Sequence, residues 1–399
     1  MTTKDAHVYL FSSDGYLICV TDILGNKISM AVDANGKITS VTDCVGRDYQ
    51  IFYNAEGKIS RITDPIGTSV TYQYVNGQLA SVTDAMNNLK YSYSYDEAGF
   101  LSQITDACSF VLRSILYNHT AGDDKDKIVS ITDNFGNTET YLYDKVNKVT
   151  TKTDSNGRQI KDWYNDAYQI TRTQDADGRS TISEYRDTTG YLWASTDRNG
   201  NRTTYEMDAN RNITQITHPD GSTELFTFDS QNNRISQTDE IGNKVFFVYD
   251  SFNNLILKAQ PLNGTDIYSQ GCDLSGFAVT QYVYYTDAER LQLGYLAAGL
   301  LKQTIDPNGT VTTYVYDAYG YIASIHESNG NITTSTYNTV GWLLSKTTPK
   351  GYTTNYQYDT AGKLIRTTDA GNGIVRFVYD AAGRIVQQIR PNQYNPADD

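Results

Sequence analysis

The side chains that could carry chemistry are either scattered or too regularly repeated to mark one site. Four histidines occur, His7, His119, His218 and His326. None stands in a Ser-His-Asp or Cys-His grouping, although such a set can assemble across distant segments. His218 and His326 fall where turns are expected and read as turn variants. Cys19, Cys44, Cys108 and Cys272 stand alone, with no CxxC pair, so neither a zinc site nor a disulfide framework is implied. Asp175-Ala176-Asp177-Gly178 begins like a calcium loop but lacks its distal glutamate. Gly371-Asn372-Gly373 has no third spaced glycine and reads as a turn. No catalytic residue, no cofactor and no metal is therefore expected, and the chain does not read as an enzyme. Tyrosine is the abundant functional group, with 33 copies against 12 Phe and 3 Trp. Tyrosine rows can stack on sugars, but cross-strand pairing explains them without a ligand. Trp163, Trp193 and Trp342 occupy no fixed position of any repeat.

Composition narrows the classes further. A net charge of −13 argues against nucleic acid as a partner, because phosphate binding needs a basic face. No apolar run is long enough for a membrane span, and no signal-peptide core follows Met1. The expectation is export by another route, or an internal piece of something longer. Tyr, Thr and Gly together favour pleated surface interrupted by turns.

The elements that hold these groups come from a repeat of about 21 residues. An Ile/Val-x-x-Thr-Asp-x-x-Gly ending recurs in sixteen registers, from Thr21, Thr42 and Thr63 to His326, Thr347 and Thr368. Within each lies a second turn of the same chemistry, Tyr-Asp-x-x-Gly. The recurring tyrosines are Tyr53, Tyr74, Tyr95, Tyr143, Tyr249, Tyr316, Tyr358 and Tyr379. Aspartate follows several of them, as Asp96, Asp144, Asp250, Asp317, Asp359 and Asp380. Gly99, Gly320, Gly362 and Gly383 end turns of this kind. Asp or Asn opening such a turn accepts the amide two residues on, and Gly or Asn at its fourth position takes a positive φ.

Between turns the residues alternate, so Thr71-Tyr72-Gln73-Tyr74 puts both tyrosines on one face. The predicted fold is all-β, an antiparallel meander coiled into a spiral shell or solenoid. In the return strand Leu79-Ala80-Ser81-Val82 the apolar residues are three apart, which an ideal strand would place on opposite faces. Helix is expected only at Asp287–Leu293. The chain reads as one array over 1–399 with insertions near 107–127 and 262–300. Some 32 strands at ~4.8 Å each give a sheet ~150 Å wide, whereas open sheets rarely pass ~10 strands, so it must coil. Its area, roughly 3,300 Å², is too small to enclose a domain of ~100 residues alone.

Tyr379-Asp380-Ala381-Ala382-Gly383-Arg384-Ile385 and the Thr-Asp-x-x-Gly endings resemble the YD repeat of the Rhs (rearrangement hotspot) family. The resemblance covers essentially the whole chain. It implies a hollow β-shell, as in bacterial polymorphic toxins, insecticidal toxin cocoons and teneurins, wrapping a toxic C-terminal domain or presenting a surface. The segment Arg390 to Asp399 lacks the Asp-Pro-x-Gly type of motif linked to self-cleavage, so neither cleavage nor toxicity is carried over. The implied role is a shell segment of a secreted or cell-surface bacterial protein. Its implied partners are further repeats or the toxin cargo of a longer parent. The alternative is a carbohydrate-binding adhesin with glycan partners. A third reading, a propeller of two-repeat blades, would need odd and even repeats to differ, and they do not. Self-pairing through edge strands is also expected. The apolar Val8 to Phe11 has only Lys4 and Asp5 beside it, whereas Pro391, Pro396, Asp398 and Asp399 protect the other end.

Overall fold

The computed structural model describes residues 7–86, 88–186, 190–264, 267–269 and 271–393. Lys4, Asp5, Pro396, Asp398 and Asp399 lie outside the described residues. Thirty-four strands form one antiparallel sheet in which strands consecutive in sequence pair. The only helix among the described residues is Asp287–Gln292, closed by a Thr286–Glu289 capping box. The chain divides into two compact units. One comprises 1–92, 248–258 and 279–399, the other 93–247 and 259–278.

The turns form as their residue types dictate. In Asp64-Pro65-Ile66-Gly67, the Asp64 carboxylate accepts the amides of Ile66 (3.1 Å) and Thr68 (2.7 Å). Gly67 donates back to the Asp64 carbonyl with φ +85°. Asn232 and Asn253 fill the glycine position with φ 67° and 63°.

A recurring bulge resolves the three-residue spacing of the return strands. Tyr74 lies opposite Leu79 and Tyr72 opposite Val82, yet Gln73 lies opposite Ser81, leaving Ala80 extra. Leu79 and Val82 therefore face the same side as both tyrosines, since one added residue shifts the period-two alternation. The same shift separates Tyr53↔Ile59, Tyr316↔Ile322 and Tyr379↔Ile385 from their neighbouring pairs.

Sixteen registers imply 32 strands, two fewer than observed. The missed return strand is Ile385–Ile389, where Arg390-Pro391 replaces Thr-Asp, although Gln393 still closes a turn on the Arg390 carbonyl at 2.8 Å. Segment 262–300 holds a strand of its own, Phe277–Tyr284. Val111–Tyr117 is likewise a strand within 107–127. Among the described residues buried apolar side chains are few, and half of them, Phe277, Tyr285 and Tyr295, belong to 262–300. In the first unit Tyr285, Tyr295 and Tyr316 meet edge-on with centroids 5.2–6.2 Å apart.

Also in the first unit, turns of the opening repeats lie against turns of the closing ones. Ala298 donates to the Asn26 side chain at 2.9 Å, Arg47 to the Tyr321 hydroxyl, and Thr68 to the Thr360 carbonyl at 3.3 Å.

Candidate functional site

The signature tyrosines act on the backbone of the preceding repeat. Tyr53, Tyr74, Tyr143, Tyr316 and Tyr379 each donate a hydroxyl to a carbonyl 15 residues earlier, at 2.7–3.0 Å. The acceptors, Ile38, Ile59, Ile128, Leu301 and Leu364, open the return strands, so each hydroxyl ties one hairpin to the one before. Tyr95 and Tyr249 end the equivalent strands Leu89–Tyr95 and Lys244–Tyr249. Burial pushes the hydroxyl pKa of Tyr143, Tyr316 and Tyr379 upward, which keeps these donors protonated, and does the same at Tyr358.

The residue after each turn glycine covers the next repeat's tyrosine ring. Lys37 lies 5.0 Å over Tyr53, Lys58 5.3 Å over Tyr74, and Lys363 5.4 Å over Tyr379. Aromatic residues fill the same place where Tyr321 meets Tyr337 and Trp342 meets Tyr358, with centroids 5.2 and 5.3 Å apart. Trp163 and Trp193 are covered by Arg172 at 4.5 Å and Arg202 at 4.8 Å.

The signature carboxylates cap turns. Asp96, Asp250, Asp317 and Asp359 each accept two amides at 2.8–3.1 Å. Asp144 and Asp380 accept the amides of Asn147 and Arg384, each at 2.9 Å. Gly99, Gly320, Gly362 and Gly383 take φ of 82–88°. Asp175 and Asp177, the calcium-like pair, sit 3.3 and 3.4 Å from Arg198 and Arg179, so each already faces a cation.

Two histidines are drawn into carboxylate clusters that sequence spacing does not reveal. His119 places Nδ1 3.0 Å from Asp126 and Nε2 2.9 Å from Asp96. Ionised carboxylates only accept, so this pair of partners favours the imidazolium, in which both ring nitrogens donate. Those two hydrogen bonds, Asp126 first, raise its pKa. His218 Nε2 stands 3.1 Å from an oxygen of Glu224 and 3.1 Å from one of Glu240. These three donors lie within 4.8 Å of one another and could hold a metal ion. His326 instead meets Ser324 at 2.8 Å. The clue to the His218 cluster is visible only with the repeats aligned, where His218 interrupts aspartates at 197 and 239.

Fold and side-chain geometry together define a β-repeat array whose recurring side chains act on its own backbone. The RHS Repeat family model matches five segments of the chain, residues 75–107, 192–223, 295–332, 337–373 and 358–393. It is similar to a crystal structure of TcdB2-TccC3-TEV, with TM-score 0.55 and 17% identity, covering 99% of this chain and 23% of that one. A Photorhabdus luminescens Tc holotoxin pore structure aligns at TM-score 0.47 and 14% identity, over 97% of this chain and 25% of that one. At 17% identity the likeness to the first is one of fold alone, and the chain spans about a quarter of the length of those solved chains. No curated protein matches the sequence.

Proposed function

We propose that this chain is a wall segment of an RHS shell in a longer bacterial protein, and that the complete shell encloses or presents a C-terminal toxin domain. The single observation that carries this reading is the 34-stranded meander of the described residues, in which tyrosine hydroxyls tie successive hairpins at several repeats. Such a fabric supplies area and stiffness, and its repeated polar groups are engaged in holding it together. The role is architectural rather than catalytic, and the whole of 1–399 serves as one array. Its partners are further repeats of the parent and the enclosed cargo, and its place is outside the producing cell. The likeness to the TcdB2-TccC3-TEV structure supports this reading at the level of fold alone.

Limited proteolysis of the full-length natural polypeptide tests it. A domain outside the repeats should resist protease under native conditions and become cleavable at the denaturant concentration that unfolds the repeats. Immediate release of every non-repeat domain, with the repeats intact, would refute enclosure. Saturable binding of a cell-surface polysaccharide, abolished by Trp193→Ala, would support the adhesin alternative instead.

A further inference from the structure

The turn at 218–222 keeps its backbone but not its usual side chain. His218 still donates to the Ser222 carbonyl at 2.9 Å and Gly221 to the His218 carbonyl at 3.0 Å. In the preceding turn of the same row, Asp197 accepts the amides of Asn199 and Asn201 at 2.8 and 2.9 Å. At 218 that capping passes to Asp220, which accepts the Ser222 amide and hydroxyl at 2.9 and 2.7 Å. The imidazole is thereby released from the turn. It faces Glu224, from the strand Thr223–Phe228, and Glu240, from the next turn of the row.

We propose that His218, Glu224 and Glu240 form a binding site for a divalent transition cation of the zinc class. Two carboxylates converge on one ring nitrogen, which has a single lone-pair or N–H direction and so cannot satisfy both by hydrogen bonding. Among the described residues no lysine or arginine forms an ion pair with either glutamate. A cation bound at ~2.0–2.2 Å to one nitrogen and two oxygens would set them ~3.3–3.5 Å apart in tetrahedral geometry. Two of the three spacings here are already 3.1 Å, and all lie within 4.8 Å. Small side-chain rotations therefore complete the triad.

The donor set also selects the ion. Imidazole disfavours calcium and magnesium, which take oxygen ligands, and suits zinc, nickel or copper(II). The side chains are 27%, 21% and 47% exposed, leaving a fourth position for water. The bound ion would staple the turn at 218 to the turn at 239 across the hairpin between them.

The test is calorimetric titration of the full chain, stripped with chelator, with zinc chloride near neutral pH. The expected result is one micromolar site. His218→Asn and Glu240→Gln should each weaken it by about tenfold or more. His119→Asn should leave it unchanged. Asparagine already opens the turns at Asn54, Asn165 and Asn338, so His218→Asn should preserve the fold, which circular dichroism checks. Zinc should also raise the melting temperature of wild type but not of either site variant. No zinc binding by wild type, or binding that survives both substitutions, would reduce the cluster to a histidine–carboxylate ion pair and overturn the proposal.

Discussion

A single tyrosine hydroxyl suffices to tie one repeat to the last. Tyr74 donates to the Ile59 carbonyl at 2.9 Å, while Tyr72, two residues away on the same face, makes no such bond among the described residues. Tyr74→Phe should therefore cost about 1 kcal/mol in denaturant unfolding, with Tyr72→Phe near neutral as control. Equal effects would mean that the rings, not the hydroxyl, hold the hairpins. His119 makes a pH-dependent prediction. The hydrogen bonds that His119 donates to Asp126 and Asp96 raise its pKa above the ordinary 6.5, so the stability it adds is complete below 6.5 and lost as pH rises through the raised value. Burial opposes ionisation of Asp96, but His119 holds its pKa below 3.8, so the Asp96 share is lost only on strong acidification. His119→Asn should thus destabilise the protein more at pH about 5.5 than at about 8.5. A penalty independent of pH would show that the ring contacts with Phe100 and Tyr117 carry its role instead.

Elements were legible in proportion to how local their physics is. Turn chemistry gave both turn rows and the positive-φ positions, because Asp-x-x-Gly acts within five residues. The helix was legible for the same reason, as Thr286 and Glu289 cap each other. The bulge was not, because Ala80 looks like any strand residue until Leu79 and Val82 are paired with Tyr74 and Tyr72. Deleting Ala80 should leave Leu79 and Val82 two apart on one face, opposite Tyr74 and Tyr72, in a ladder that has lost the bulge and the local twist it adds. The expected outcome is faster amide exchange across strands Ser69–Val75 and Gln78–Thr83, with distant hairpins unchanged. Unaltered protection there would mean the bulge is dispensable. Gly67→Ala, at φ +85°, should cost on the order of 1 kcal/mol by the same readout. The final return strand, Ile385–Ile389, went uncounted because Arg390-Pro391 stands where the other return strands end in Thr-Asp.

For the whole molecule, repetition made the fold class readable and the partners unreadable. A long antiparallel meander follows from the period alone, and far-UV circular dichroism should show a β spectrum with far less than a quarter helix. The His218 cluster escaped the sequence because its members come from two turns and a strand, at separations that match no local ligand motif. Likewise, the contacts of Asn26 with Ala298 and Thr68 with Thr360 join positions 272 and 292 residues apart, and no local pattern announces them. Cryo-electron microscopy of the full-length natural polypeptide tests the shell role most directly. The 34 strands should lie in a continuous wall, with density for a non-repeat domain against its inner face. A repeat array with both faces open to solvent and every other domain tethered outside would contradict it.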